Sequence, residues 1–138
     1  MRRLRSTARF AAHRGFTLIE LLVVIAIIVI LAGISLANYQ SSVTRSKEAV
    51  LKEDLFRMRD AIDQYFADKG KYPASLEALA GDGYLRKVPK DPFTDSAETW
   101  QTVQAEQDAS NPLAEPGIFD VKSGSEASAL DGSKYSDW

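Results

Sequence analysis

Apolar and polar positions are segregated along this chain. From Leu21 to Ile34 the sequence LLVVIAIIVILAGI has no polar side chain, and the 24 residues from Phe16 to Tyr39 hold one charge, Glu20. At about 1.5 Å per residue such a stretch spans roughly 36 Å as a helix, enough to cross a bilayer core. A buried core helix is the poorer reading, because the rest of the chain is too polar to wrap so long an apolar cylinder. Beyond Val43 the pattern becomes amphipathic. Leu51, Leu55, Met58, Ile62 and Tyr65 follow one another at helical spacing, one stripe that Phe56 and Phe66 are expected to broaden. Glu48–Lys52 and Glu53–Arg57 are i,i+4 pairs in the favourable acid-first order. No proline precedes Pro73, and Gly70 suits a helix C-cap. The two patterns therefore predict one helix from Thr17 to Lys69, roughly 80 Å long at about 1.5 Å per residue.

The remaining chain predicts a small head that covers the amphipathic stripe. A short helix over Pro73–Leu79 is expected, with Ser75 as N-cap and Leu76 and Leu79 facing inward. Turns are expected at Asp82-Gly83, Asp91-Pro92 and Asp131-Gly132, and an extended segment over Tyr84–Val88. Strands are expected at Thr99–Val103, at Ile118–Lys122 and at Lys134–Trp138, with residues 104–116 as a long polar loop. The fold class is α+β: a long N-terminal helix packed on a small antiparallel sheet. A head of this size is marginal alone and gains its core from the helix stripe.

Composition narrows the chemistry. Of the 17 lysines and arginines, five (Arg2, Arg3, Arg5, Arg9, Arg14) precede Phe16, which leaves 12 against all 19 acidic residues. That acidic remainder is the wrong sign for a protein that neutralises phosphates, so no nucleic-acid partner is expected. With no cysteine and one histidine, His13 in the basic leader, disulfides, thiolate metal sites and histidine-based triads have nothing to use. The five arginines should keep the leader on the cytoplasmic side. An ordinary secretory signal has a similar charge order, but no clean small-x-small cleavage site follows the apolar run.

At the border of leader and apolar run stands Arg14-Gly15-Phe16-Thr17-Leu18-Ile19-Glu20. This motif and the run behind it resemble the class III signal of type IV pilins and type II secretion pseudopilins. The resemblance implies cleavage between Gly15 and Phe16 by a prepilin peptidase and N-methylation of Phe16. The chain would then divide into a removed leader, residues 1–15, a membrane and filament-core helix, residues 16–38, and a periplasmic head, residues 39–138. Glycine suits the cut, since it offers the protease a backbone without a side chain. Glu20 costs about 2.5–3.5 kcal/mol if placed centrally in lipid, less near the interface. Pairing with the new amino group of Phe16 on a neighbouring subunit would relieve that cost, the assembly role that the resemblance implies.

The head narrows the resemblance. Gly70-Lys71-Tyr72-Pro73, Leu76, Leu79, Gly83-Tyr84-Leu85, Val88-Pro89-Lys90-Asp91-Pro92-Phe93 and Phe119-Asp120-Val121 are similar to the major, G-type pseudopilins of type II secretion. That implies a structural, non-enzymatic subunit of the inner membrane and periplasm. It would be surrounded by lipid before assembly, and it would form a homopolymer that helps to drive protein export across the outer membrane. Minor pseudopilins, the prepilin peptidase and the inner-membrane assembly platform would be its partners. A type IV pilin-like subunit of a surface filament, for adhesion, motility or DNA uptake, is the alternative. Two departures stand out. Proline, frequent at the twenty-second mature position, is replaced by Ala37, and the adjacent aspartates of the family's calcium loop are missing. Glu126 and Asp131, with Ser125 or backbone carbonyls, are the hard-oxygen ligands left for Ca2+, and a solvated polar loop is the alternative.

Overall fold

The computed structural model of the protein describes residues 15–106 and 116–138. The basic leader with His13 and most of the expected 104–116 loop lie outside the described residues. The chain divides into two compact units, residues 1–39 and residues 40–138.

In the first unit the helix α1 (Leu18–Lys69) begins. Thr17 caps it: its hydroxyl accepts the Glu20 N–H at 3.2 Å, and its carbonyl accepts the Leu21 N–H at 3.1 Å. A Thr at this place satisfies an amide that has no partner in the first helical turn. Every α1 side chain from Leu18 to Tyr39 is exposed. The segment is long and apolar enough to cross a membrane. Ser35 returns its hydroxyl to the carbonyl of Leu31 at 2.8 Å, so the helix carries this polar group without an open bond.

The second unit contains the rest of α1, the short helix α2 (Leu76–Gly81) and the strands β1 (Gln101–Gln104) and β2 (Ile118–Lys122). Ser75 caps α2 as expected, its Oγ accepting the Ala78 N–H at 3.2 Å. β1 and β2 pair antiparallel, with Gln101 opposite Lys122 and Val103 opposite Asp120, and a bulge beyond Val103 leaves Phe119 unpaired. Leu51, Leu55, Met58 and Ile62 of α1 are at most 2% exposed and form one core with Leu79, Trp100, Val121 and Tyr135. Trp100 keeps its indole N–H satisfied by donating to the carbonyl of Pro89 at 2.8 Å.

Four expectations need correction. Tyr84–Val88 is no extended segment: Tyr84–Lys87 bends, because the amides of Tyr84 and Leu85 both bond the carbonyl of Leu79 and wrap the chain around the end of α2. Lys134–Trp138 is no strand. Lys134 makes one isolated bridge to Ser128, and Tyr135–Asp137 then closes a 3₁₀ turn through Asp137 N–H to Lys134 O, so among the described residues the sheet has two strands. Phe56 does not join the stripe. It is 66% exposed, since a residue beside Leu55 is turned about 100° from it. Glu53–Arg57 pairs at 2.8 Å as expected, but Glu48 and Lys52 turn away from each other to tertiary partners.

Candidate functional site

The expected processing junction lies just before the helix. Gly15, Phe16 and Thr17 precede the first helical turn, Phe16 is 83% exposed, and among the described residues nothing fills the space beside Gly15. Glu20 follows in the first turn of α1, where the partial positive charge of the helix N-terminus favours a carboxylate. Among the described residues its carboxylate has no ion-pair partner. On another face of the same turns Leu18, Leu21, Leu22 and Ile25 line a shallow apolar groove of about 230 Å³. The chemistry of this surface is that of an apolar cylinder with one anion at its head. It suits lipid or like helices, and it offers no nucleophile beside a base.

The C-terminal loop is placed differently from the calcium arrangement. Ser125 is buried, its Oγ accepting the Ala127 N–H at 3.3 Å and its own amide donating to Ser123 Oγ at 3.1 Å. Glu126 faces the ammonium of Lys134 at 3.7 Å. Asp131 Oδ1 accepts both the N–H of Ser133 at 2.9 Å and its hydroxyl at 2.6 Å. Those bonds hold the Asp131 carboxyl below the usual carboxylate range. Among the described residues no three acidic or histidine side chains gather as a metal would need. The groups that face these oxygens are N–H, O–H and ammonium, the partners of an anion. As placed, Ser125, Glu126 and Asp131 do not fit a calcium centre.

Two polar side chains that organise the head escape the stripe analysis. Arg59 donates to Asp120 Oδ1, to the carbonyl of Val121 and to that of Trp138. Glu48 accepts from Leu130 and Tyr135. Each stands three residues before a buried leucine or isoleucine, Leu51 or Ile62. A charge on the apolar face of a helix was the available signal. Asp91, fully buried, accepts from the Ser123 hydroxyl and the Phe93 amide, and among the described residues it has no ion-pair partner. Its sequence context, Asp-Pro, reads only as a turn.

Residues 11–36 match the family model of the prokaryotic N-terminal methylation motif. The chain is 30% identical over 101 residues to the type II secretion system core protein G of Klebsiella michiganensis, covering 62% of this chain and 71% of that protein. It is 37% identical over 95 residues to the core protein G of Pseudomonas aeruginosa, covering 57% of this chain and 67% of that one. A fimbrial protein, EcpC of Eikenella corrodens, is 47% identical over 69 residues, 50% of this chain and 44% of its own. No solved structure matches the chain significantly.

Proposed function

The chain belongs to the family of the type II secretion system core protein G, and from that premise we propose that it is the repeating subunit of a pseudopilus, a structural protein and not an enzyme. The observation that carries the reading is the apolar half of α1, exposed along its whole length and headed by a single carboxylate, Glu20. Such a surface is stable only in lipid or against other apolar helices. In the precursor, lipid surrounds residues 16–38, the arginine-rich leader stays cytoplasmic and the head, residues 39–138, lies in the periplasm.

Cleavage between Gly15 and Phe16 by a prepilin peptidase removes the leader and creates an amine at Phe16, which is then N-methylated. That amine on one subunit meets Glu20 on another. The pair removes two unpaired charges from an apolar setting and sets the stagger between stems. Stems form the filament core, heads its surface, and growth from the inner-membrane platform, with minor pseudopilins in the same filament, moves substrates toward the outer membrane.

The test is export. Deleting the gene should leave exoproteins in the periplasm, and the intact gene should restore their release. Normal export in the deletion strain, with loss of surface filaments, would replace this reading by a second one, a pilin-like subunit of a surface filament. The similarity to fimbrial protein EcpC favours that alternative.

A further inference from the structure

The end of the chain is held to α1 by three side chains on one helical face. Glu48 Oε1 accepts the Leu130 N–H at 2.8 Å and the Tyr135 O–H at 2.9 Å. The Lys52 ammonium lies 4.4 Å from the centre of the Trp138 indole. Arg59 donates to the Trp138 carbonyl at 2.7 Å. A carboxylate, an ammonium and a guanidinium from α1 thus meet residues that the chain reaches only at its end.

The polarity of this arrangement decides what it can hold. A loop folded around a cation turns carbonyl and carboxylate oxygens toward one point. This loop does the reverse: a backbone N–H and a phenol O–H converge on one carboxylate oxygen of α1. Two further acids of the segment are likewise met by donors, Asp131 by Ser133 and Glu126 by Lys134. The phenol is fixed in place, 1% exposed and stacked on Phe93 with ring centres 3.9 Å apart.

We propose that residues 123–138 form an anion-centred clasp, folded around the carboxylate of Glu48, which closes the head on α1 without a metal ion. Glu48 replaces the cation as the organising charge, with the sign inverted. Burial, with the bond to Glu48, pushes the Tyr135 phenol up to about 12, so it stays a neutral donor at any physiological pH. The inference concerns the head alone and stands whether the filament is a pseudopilus or a pilus.

The test is thermal unfolding of the full chain in detergent, followed by tryptophan fluorescence, in a chelator and in millimolar calcium chloride. The two curves should coincide. Glu48→Ala and Tyr135→Phe should each lower the melting temperature by about 4–8 °C, as expected for the loss of one strong bond in a domain of this size. The double variant should fall little below the worse single one, since both remove the same bond. Glu48→Ala should also move the Tyr135 phenolate titration, read as the difference from Tyr135→Phe, to lower pH. A calcium-dependent rise in melting temperature that Asp131→Asn abolishes would overturn the proposal. So would additive losses in the double variant, or an unmoved Tyr135 titration. Should Glu48→Ala not fold, the calcium comparison still decides the matter, since it needs only the unaltered chain.

Discussion

Arg59 Nε lies 2.7 Å from Asp120 Oδ1, joining the C-terminal part of α1 to β2 across 61 residues of chain. The same guanidinium reaches the carbonyls of Val121 and Trp138 at 2.9 and 2.7 Å. A planar fork with several fixed donors is what this meeting of strand, helix and chain end requires.

Arg59→Ala should therefore destabilise the head. Both partners of the ion pair remain partly in water, 39% and 28% exposed, so its Coulombic share is small. Loss of the bonds to two carbonyls should bring the total to about 1–3 kcal/mol. Urea unfolding should show a lower midpoint, and Arg59→Lys should recover only part of it, because an ammonium cannot serve all three acceptors in this geometry. An unchanged midpoint for the alanine variant would remove Arg59 from the account.

Gly124→Ala should be costlier than its single methyl suggests. A Cβ at this position would overlap the carbonyl oxygen of Thr99, a backbone atom that cannot swing aside. The chain must shift where Ser123 bonds the buried Asp91. A loss of about 1–3 kcal/mol is expected, against a small change for Gly81→Ala, whose added Cβ meets open space. Equal midpoints for the two variants would contradict the close approach.

Tyr135 predicts a pH dependence at the alkaline end. Its phenol is raised from the ordinary 10.0 to about 12 by burial and then by the bond to Glu48. The folded state favours the protonated phenol, so this contribution is complete below pH 10 and is lost as pH rises from 10 through about 12. The stability difference between the unaltered chain and Tyr135→Phe should shrink across that window. A difference that stays constant there would mean that the phenol is not held by Glu48.

Processing gives the simplest mass. In a host with a prepilin peptidase, the protein should appear as residues 16–138, 123 residues, one methyl group heavier than the bare chain. Intact-mass spectrometry reads this directly. A mature start near Leu36 or Asn38 would mean cleavage of an ordinary signal and would end the filament reading.

Glu20→Ala separates insertion from assembly. Membrane insertion should be kept or improved, since an anion leaves the apolar helix. Cross-linked multimers and export should fall sharply, because the amine of the neighbouring subunit then faces lipid without a partner. Full export by this variant would refute the pairing.

Periodicity and composition alone determined the long helix ending at Lys69, the Ser75 cap of α2 and the strand Ile118–Lys122. These are local properties: a cap, a run of apolar residues or a stripe follows from neighbours a few positions away. Only the tertiary structure decided what became of Glu48, Lys52 and Arg59. Helical spacing offers Glu48 and Lys52 to each other. An exposed i,i+4 pair contributes only a few tenths of a kcal/mol, less than the partners that the folded chain brings. Leu130 and Tyr135 lie 82 and 87 residues beyond Glu48, and no sequence window joins them. The same distance explains the last segment. Lys134–Trp138 carries two aromatic residues that suit a strand, but the Tyr135 phenol is drawn to α1 and its ring to Phe93, and the chain closes a 3₁₀ turn to meet both.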